Sequence, residues 1–313
     1  AIQVLLNSED NNMKRIFSIL IILCTISFTV SAQQDAMYSQ YMFNMLSVNP
    51  AYAGSRDVIS VTALKRWQWI NMEGAPETLT FSADLPVWHE KVGLGISVVN
   101  DKIGITKNNS LFTSYSYRIH FPSGGTFSFG LQAGFTNMKA NYMSLSTTTG
   151  SDQVFMNNVN EWLPNFGAGA YYTTDKLYAG IAAPHLINNQ LIDGTESIQK
   201  QHFFLMGGYV FHASEIIAVK PSVLFKYVQG APLEGDINVN TWFHDRVALG
   251  VSYRTGDALV GMAEFQINPQ IRFGYAYDFT LTRIKTYSSG SHELMLRYEF
   301  GSAKKKILTP RYF

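Results

Sequence analysis

The stretch Ile271-Arg272-Phe273-Gly274-Tyr275-Ala276-Tyr277-Asp278-Phe279 constrains this chain more than any other. Its odd positions are all large and apolar or aromatic, and its even positions are small or charged. A strand sends alternate side chains to opposite faces. Five bulky groups therefore share one face while Arg272 and Asp278 share the other. A single strand of this kind suits a half-buried sheet in water as well as a membrane strand, so recurrence has to decide.

The pattern does recur. Leu79, Phe81, Ala83 and Leu85 oppose Thr80, Ser82 and Asp84; Tyr115, Tyr117 and Ile119 oppose Ser116 and Arg118; Phe127, Phe129, Leu131 and Phe135 oppose Ser128, Gly130 and Gln132. Val219, Val223 and Phe225 oppose Lys220, Ser222 and Lys226, and Leu294, Leu296 and Tyr298 oppose Met295, Arg297 and Glu299. About 14 strands of roughly ten residues can be counted, the usual span of a membrane β-strand. They start near residues 57, 77, 91, 109, 125, 163, 176, 201, 216, 236, 246, 257, 270 and 291. With the first strand starting at the periplasm, the connections after even strands are short, as in Trp88-His89-Glu90 and Asn268-Pro269. Those after odd strands include the long ones at 139–162, 188–200 and 282–290. Short periplasmic turns and longer extracellular loops are the habit of outer-membrane barrels, whereas a soluble sandwich has no reason to sort loop length by parity. The last strand ends with aromatics two apart, Tyr298 and Phe300. The expected fold is all-β: a transmembrane outer-membrane barrel of antiparallel strands over 57–300, preceded by a short N-terminal helical segment.

Composition agrees. Only 15% of the 313 residues are charged and 14% are aromatic, against about 25% charged in an average soluble domain. Beyond residue 30 no run reaches the ~18 apolar residues that a membrane helix needs. A formal net charge of +1 gives no electrostatic case for nucleic acid.

Residues 13–32 read as a secretory signal peptide: Met13, Lys14-Arg15, an apolar core from Ile16 to Phe28, then small residues at Val30-Ser31-Ala32. Residues 1–12 read as an upstream mis-assigned start. Cys24, the single cysteine, falls inside that leader, which leaves thiol chemistry and cysteine-based metal sites out of the mature chain. At the far end 301–313, with Lys304-Lys305-Lys306, is too polar for a bilayer and reads as a periplasmic tail.

Residues 33–56 form the segment ahead of the strands. Tyr38, Tyr41, Met42 and Met45 fall on one face of a short helix, which Asn49-Pro50 ends because the residue before proline avoids the α region. The segment reads as a docking helix, or as a plug or partner-binding element at the periplasmic mouth, with Tyr38, Tyr41 and Met42 as candidate partner contacts. A barrel of about 14 strands lies between those that side chains fill and those that leave a channel, so its lumen is either narrow or plugged. This segment and the loop at 139–162 are the candidate plugs.

Several strings resemble the PorP/SprF family of type IX secretion membrane proteins. They are Gln34-Asp35, Ser39-Gln40-Tyr41-Met42-Phe43-Asn44, Asn49-Pro50-Ala51-Tyr52-Ala53-Gly54-Ser55, Arg66-Trp67-Gln68-Trp69 and Gly74-Ala75-Pro76-Glu77-Thr78. Asn100-Asp101-Lys102-Ile103-Gly104, Gly274-Tyr275-Ala276-Tyr277-Asp278 and Gly290-Ser291-His292-Glu293 follow in the same order. The resemblance implies the outer membrane of Bacteroidota-type cells and an accessory role in secretion or surface attachment of specific cargo, such as gliding adhesins with C-terminal sorting domains. It also implies partners among the secretion machinery and those sorting domains, beside outer-membrane lipid. A diffusive pore for small solutes is the alternative.

An Arg or Lys on the lipid face near the midplane costs ~2–4 kcal/mol. That cost explains why Asp84, Arg118, Lys220, Lys226, Glu264, Arg272, Asp278, Arg297 and Glu299 all take the parity opposite the bulky groups. They are the candidate lumen charges, with Arg272 or Arg297 as a cross-strand partner for Asp278. Parity further predicts that Tyr275→Arg blocks assembly while Ala276→Arg is tolerated. Asn100–Gly104 reads as an extracellular turn, where Asp101 and Gly104 either satisfy turn chemistry or touch a partner. Trp67, Trp69 and Trp88 near strand ends read as interfacial belt residues. The seven histidines show no metal-ligand spacing. Ser291 and His292 are adjacent on a strand and so point to opposite faces, which prevents a nucleophile–base pair. No enzyme activity, cofactor or metal is expected.

Overall fold

In a computed structural model that describes residues 37–144, 157–190 and 199–300, fourteen antiparallel strands close on themselves. The first seven are β1 (Ile59–Trp67), β2 (Glu77–Val87), β3 (Val92–Ile103), β4 (Thr106–His120), β5 (Thr126–Ala140), β6 (Val159–Thr173) and β7 (Leu177–His185). β8 (His202–Tyr209) continues past Val210 as Phe211–His212. There follow β9 (Ile217–Val228), β10 (Glu234–Phe243), β11 (Val247–Arg254), β12 (Ala258–Gln266), β13 (Ile271–Thr280) and β14 (Ser291–Phe300). Each strand pairs with its sequence neighbours, and β1 pairs with β14 from Ile59↔Phe300 to Trp67↔His292. No edge is left, so the strands satisfy one another's backbone groups, as hydrocarbon requires. The residues assigned from sequence to the mis-assigned start, the leader and the basic tail, with Cys24 and Lys304–Lys306, lie outside the described residues, as does 145–156 of the long loop.

Parity sets the facing throughout. Phe129, Leu131 and Phe135 point outward and are exposed, while Ser128, Gly130 and Gln132 point inward and are buried. The connections at one end, 88–91, 121–125, 174–176, 213–216, 244–246 and 267–270, are short. Those at 68–76 and 281–290 are long and lie at the other end, as do the described ends of the connections that leave β5 and β7. The long-loop end is the outer one by the rule for outer-membrane barrels.

The helical segment takes the form of three 3₁₀ turns, Tyr41–Phe43, Met45–Ser47 and Pro50–Tyr52, rather than a single α-helix. The one-face reading fails for a physical reason. The segment is surrounded by barrel wall, so Tyr41, Met42, Phe43, Met45, Leu46, Ala51 and Tyr52 are all buried. Asn49 starts the last turn by accepting the Ala51 N–H at 3.0 Å, with Pro50 in the first position, where its missing donor costs nothing. Backbone of this segment lies directly against the wall: a Cβ added to Gly93 would run into the Ala53 carbonyl, and one on Gly130 into the Ala51 amide.

A filled lumen also changes what parity implies for substitution. Ala276 points inward as parity requires, but it is 0% exposed and belongs to the core that the segment and wall share. Ala276→Arg should therefore fail as Tyr275→Arg does. Tyr275→Arg places a cation on the lipid face; Ala276→Arg overpacks a closed interior. Heat-modifiable gel mobility should show no folded band for either. A folded Ala276→Arg barrel would mean that the interior is looser than this packing.

Candidate functional site

The site grows from the contacts between residues 38–57 and the inward-facing side chains. At the outer half, Arg66 on β1 and Glu293 on β14 are direct cross-strand partners. The Arg66 guanidinium reaches Glu293 at 3.2 Å and Asp278 on β13 at 2.8 Å. The segment plugs into this triad. Ser39 and Gln40 donate their backbone N–H groups to the two Glu293 carboxylate oxygens at 2.9 and 2.7 Å. The Ser39 hydroxyl donates to Asp278 at 2.7 Å and accepts from Arg66 at 2.9 Å. Arg254 on β11 adds pairs with Asp236 at 3.0 Å and Asp278 at 3.5 Å. These side chains are all buried, and charge taken out of water persists only where such partners replace the water.

Midway down, Tyr38 and Thr80 share a hydroxyl–hydroxyl bond of 2.6 Å. Ser82 donates to the Asn44 side chain at 2.7 Å, Asn238 donates to the Tyr41 hydroxyl at 2.8 Å, and Asn49 donates to the Ala170 carbonyl at 3.0 Å. At the short-loop end Asp84 accepts from the Gly54 N–H at 2.9 Å, Arg56 binds Glu299 through Nε at 2.6 Å, and Asp57 binds Arg118 at 2.6 Å. Partners on β2, β4, β6, β10, β13 and β14 thus hold the segment from several sides of the cylinder.

The nine charges assigned by parity lie on the inward side, eight of them buried and Glu299 partly so. Lys220 sits against the Phe43 and Tyr178 rings, 5.6 and 5.8 Å from their centroids. Lys226 pairs with Glu234 at 2.8 Å. Neither Arg272 nor Arg297 meets Asp278. Six residues of strand separate Arg272 from Asp278, about 20 Å at ~3.3 Å per residue, and Arg297 is registered opposite Arg272. Like charges directly opposite repel, and the two side chains diverge. Arg272 donates to Gln266 at 2.7 Å, lies 4.8 Å from the Trp242 ring and faces Glu264 at 3.8 Å. Arg297 turns the other way and donates to Thr62 at 3.3 Å.

The candidate partner contacts fare differently. Tyr38, Tyr41 and Met42 are buried inside the cylinder, with Tyr38 and Tyr41 bordering a cavity under the long-loop end. Asp101 is no turn residue: β3 extends through Ile103, the turn is Gly104-Ile105, and Asp101 faces inward and accepts from Thr78 at 2.6 Å. Gly104 alone is exposed, with φ +55°, and its N–H donates to the Gly74 carbonyl at 2.8 Å. Sequence reasoning did not single out Arg254, Asp236 or Arg56, and it named Arg66 and Glu293 only within longer strings, with no role in the lumen. For Arg66 and Glu293 a signal existed, since both are charged, carry inward parity and lie within the strings that resemble a known family.

The strings at 66–69 and 290–293 meet at the outer rim. The 68–76 loop is stitched to the β13–β14 connection by Ile70 donating to the Gly290 carbonyl and Ser289 to that of Ile70, at 2.8 and 3.0 Å. The Trp69 N–H donates to the Ser291 hydroxyl at 3.1 Å. Ser291 faces inward, whereas His292 faces outward and bonds the Tyr275 hydroxyl through Nδ1 at 2.7 Å.

Comparison with known proteins bears on this arrangement. The family model for the type IX secretion system membrane protein PorP/SprF matches residues 30–298. No curated protein matches the chain. Among solved structures, the CymD monoaromatic hydrocarbon channel is similar with a TM-score of 0.50 at 12% identity, over 85% of this chain and 94% of that one. A Pseudomonas aeruginosa FadL homologue gives 0.46 at 13% identity, over 83% and 94%. Salmonella typhi OmpF in complex with daunomycin gives 0.37 at 9%, over 77% and 97%. At such identities the likeness to the CymD channel speaks for the fold alone. With its barrel fold and a family match over most of its length, this chain belongs to the PorP/SprF family of type IX secretion system membrane proteins and is an outer-membrane β-barrel.

Proposed function

We propose that this barrel is a non-enzymatic accessory of type IX secretion that assists the export, or the retention at the cell surface, of specific cargo such as adhesins with C-terminal sorting domains. The observation that supports this reading over a diffusive pore is the occupied lumen. Residues 38–57 are held there by backbone bonds to Glu293 and Asp84 and by ion pairs at Glu299 and Arg118. A solute path would have to displace groups whose separation leaves buried charge unpaired, which is strongly unfavourable. A cargo-handling role needs no such path; it needs a fixed surface outside, and the stitched rim of 68–76 and 286–292 offers one.

The test is affinity purification of the tagged protein from native outer membranes in mild detergent, followed by mass spectrometry and planar-bilayer recording of the same sample. Secretion components and a sorting-domain protein should co-purify, with no steady conductance. A lone protein that forms a constantly open pore would overturn the reading in favour of solute transport.

A further inference from the structure

Beside the segment, under the long-loop end, lies a cavity of about 180 Å³. Its wall is largely apolar, with Leu46, Phe112, Met138, Leu163, Phe204 and Leu224 contributing. An engineered, wholly apolar cavity of about 150 Å³ takes up benzene, so by volume this one has room for a ring system and none for a length of folded chain. Its floor includes Tyr38, Tyr41 and Val48 of the segment, so it is a pocket and not a passage.

One polar atom gives the pocket direction. The Asn108 side-chain oxygen is buried without a hydrogen-bond partner. Asn108 has inward parity on β4 and lines the cavity, registered between Asp101 on β3 and Met138 on β5. A buried acceptor left unmade costs free energy that a matching donor returns. An apolar cleft with a few convergent polar groups is the usual form of a small-molecule site.

We propose that this outer vestibule binds one aromatic ring system carrying a single N–H or O–H donor, with the ring against Phe112, Leu163 and Phe204 and the donor on the Asn108 oxygen. The chemistry fits either a free aromatic molecule or the Trp or Tyr side chain of an extracellular polypeptide. The inference rests on the cavity and stands apart from the secretion reading.

Isothermal titration of the full detergent-solubilised chain with indole, and with indene as the same shape lacking the donor, tests it. Indole should give saturable one-to-one binding, about tenfold tighter than indene. Leu163→Trp, which fills the cavity, should weaken indole binding by at least about tenfold, and Asn108→Leu should erase the preference for indole over indene. If Leu163→Trp lacks the heat-modifiable band of a folded barrel, Met138→Trp serves the same end. The peptide Gly-Trp-Gly separates the sources: tighter binding than indole assigns the pocket to a polypeptide side chain, weaker binding to a free aromatic. No saturable heat with any of the three ligands, or equal indole binding in the filled variant, would overturn the proposal.

Discussion

Arg66→Met should destabilise the folded protein by about 3–5 kcal/mol, the usual consequence of removing one partner from a buried ion pair. Asp278 and Glu293 are both buried and both bound to this guanidinium. In its absence two carboxylates face each other through Ser39, with Arg254 at 3.5 Å from Asp278 as the remaining cation. Adding Asp278→Asn removes one of the stranded charges and should recover part of the loss. Urea unfolding in lipid vesicles measures the series. Because Ser39 and Gln40 share the same carboxylates, the segment should loosen before the wall does. Chymotrypsin should then cut at Tyr38, Tyr41 or Phe43 in Arg66→Met and leave the wild type intact there. A variant within about 1 kcal/mol of wild type and equally protected would show that this network does not hold the segment.

The second large effect is expected from Gly130→Leu. The Gly130 Cα faces the Pro50–Ala51 backbone, and even a Cβ there would collide with it. Overpacking ordinarily costs 1–3 kcal/mol where side chains can shift, but the obstacle here is main chain, and what can give way is the segment. The barrel wall keeps its register because Gly130 remains between Ser116 and Gly169 in the ladder. The expected result is a folded barrel with a displaced segment, seen as a rise in planar-bilayer conductance over the wild type together with new chymotrypsin cleavage at Tyr41. A folded Gly130→Leu barrel with wild-type conductance would show that the segment does not occlude the lumen.

The strands were legible because the side-chain period is two and a barrel has only two sides. Leu294, Leu296 and Tyr298 declare the lipid side, and Met295, Arg297 and Glu299 then have only the inside to face. The strand starts read from sequence fall within four residues of those observed, and the disagreements sit where a strand runs on into its turn, as at Asp101. Alternation weakens at strand ends because polar residues suit both faces near the headgroups. The N-terminal segment was less legible. Its i, i+3, i+4 spacing of Tyr38, Tyr41 and Met42 predicted one buried face. A chain enclosed by a cylinder buries every face, and its turns follow from contacts with β2, β5 and β6 rather than from its own period.

Pairing was the least legible feature. Arg272 or Arg297 looked suited to Asp278 because β13 and β14 are neighbours, yet Asp278 is met by Arg66 and Arg254, which lie more than twenty positions away in the chain. Sequence by itself determined which side of the wall each residue faces, since that depends only on parity and on the cost of charge in oil. Closure of β1 onto β14 and the entry of residues 38–57 into the lumen decided which charges meet and whether the lumen has room for Ala276→Arg. Those are properties of curvature and register, which join residues that no local pattern connects.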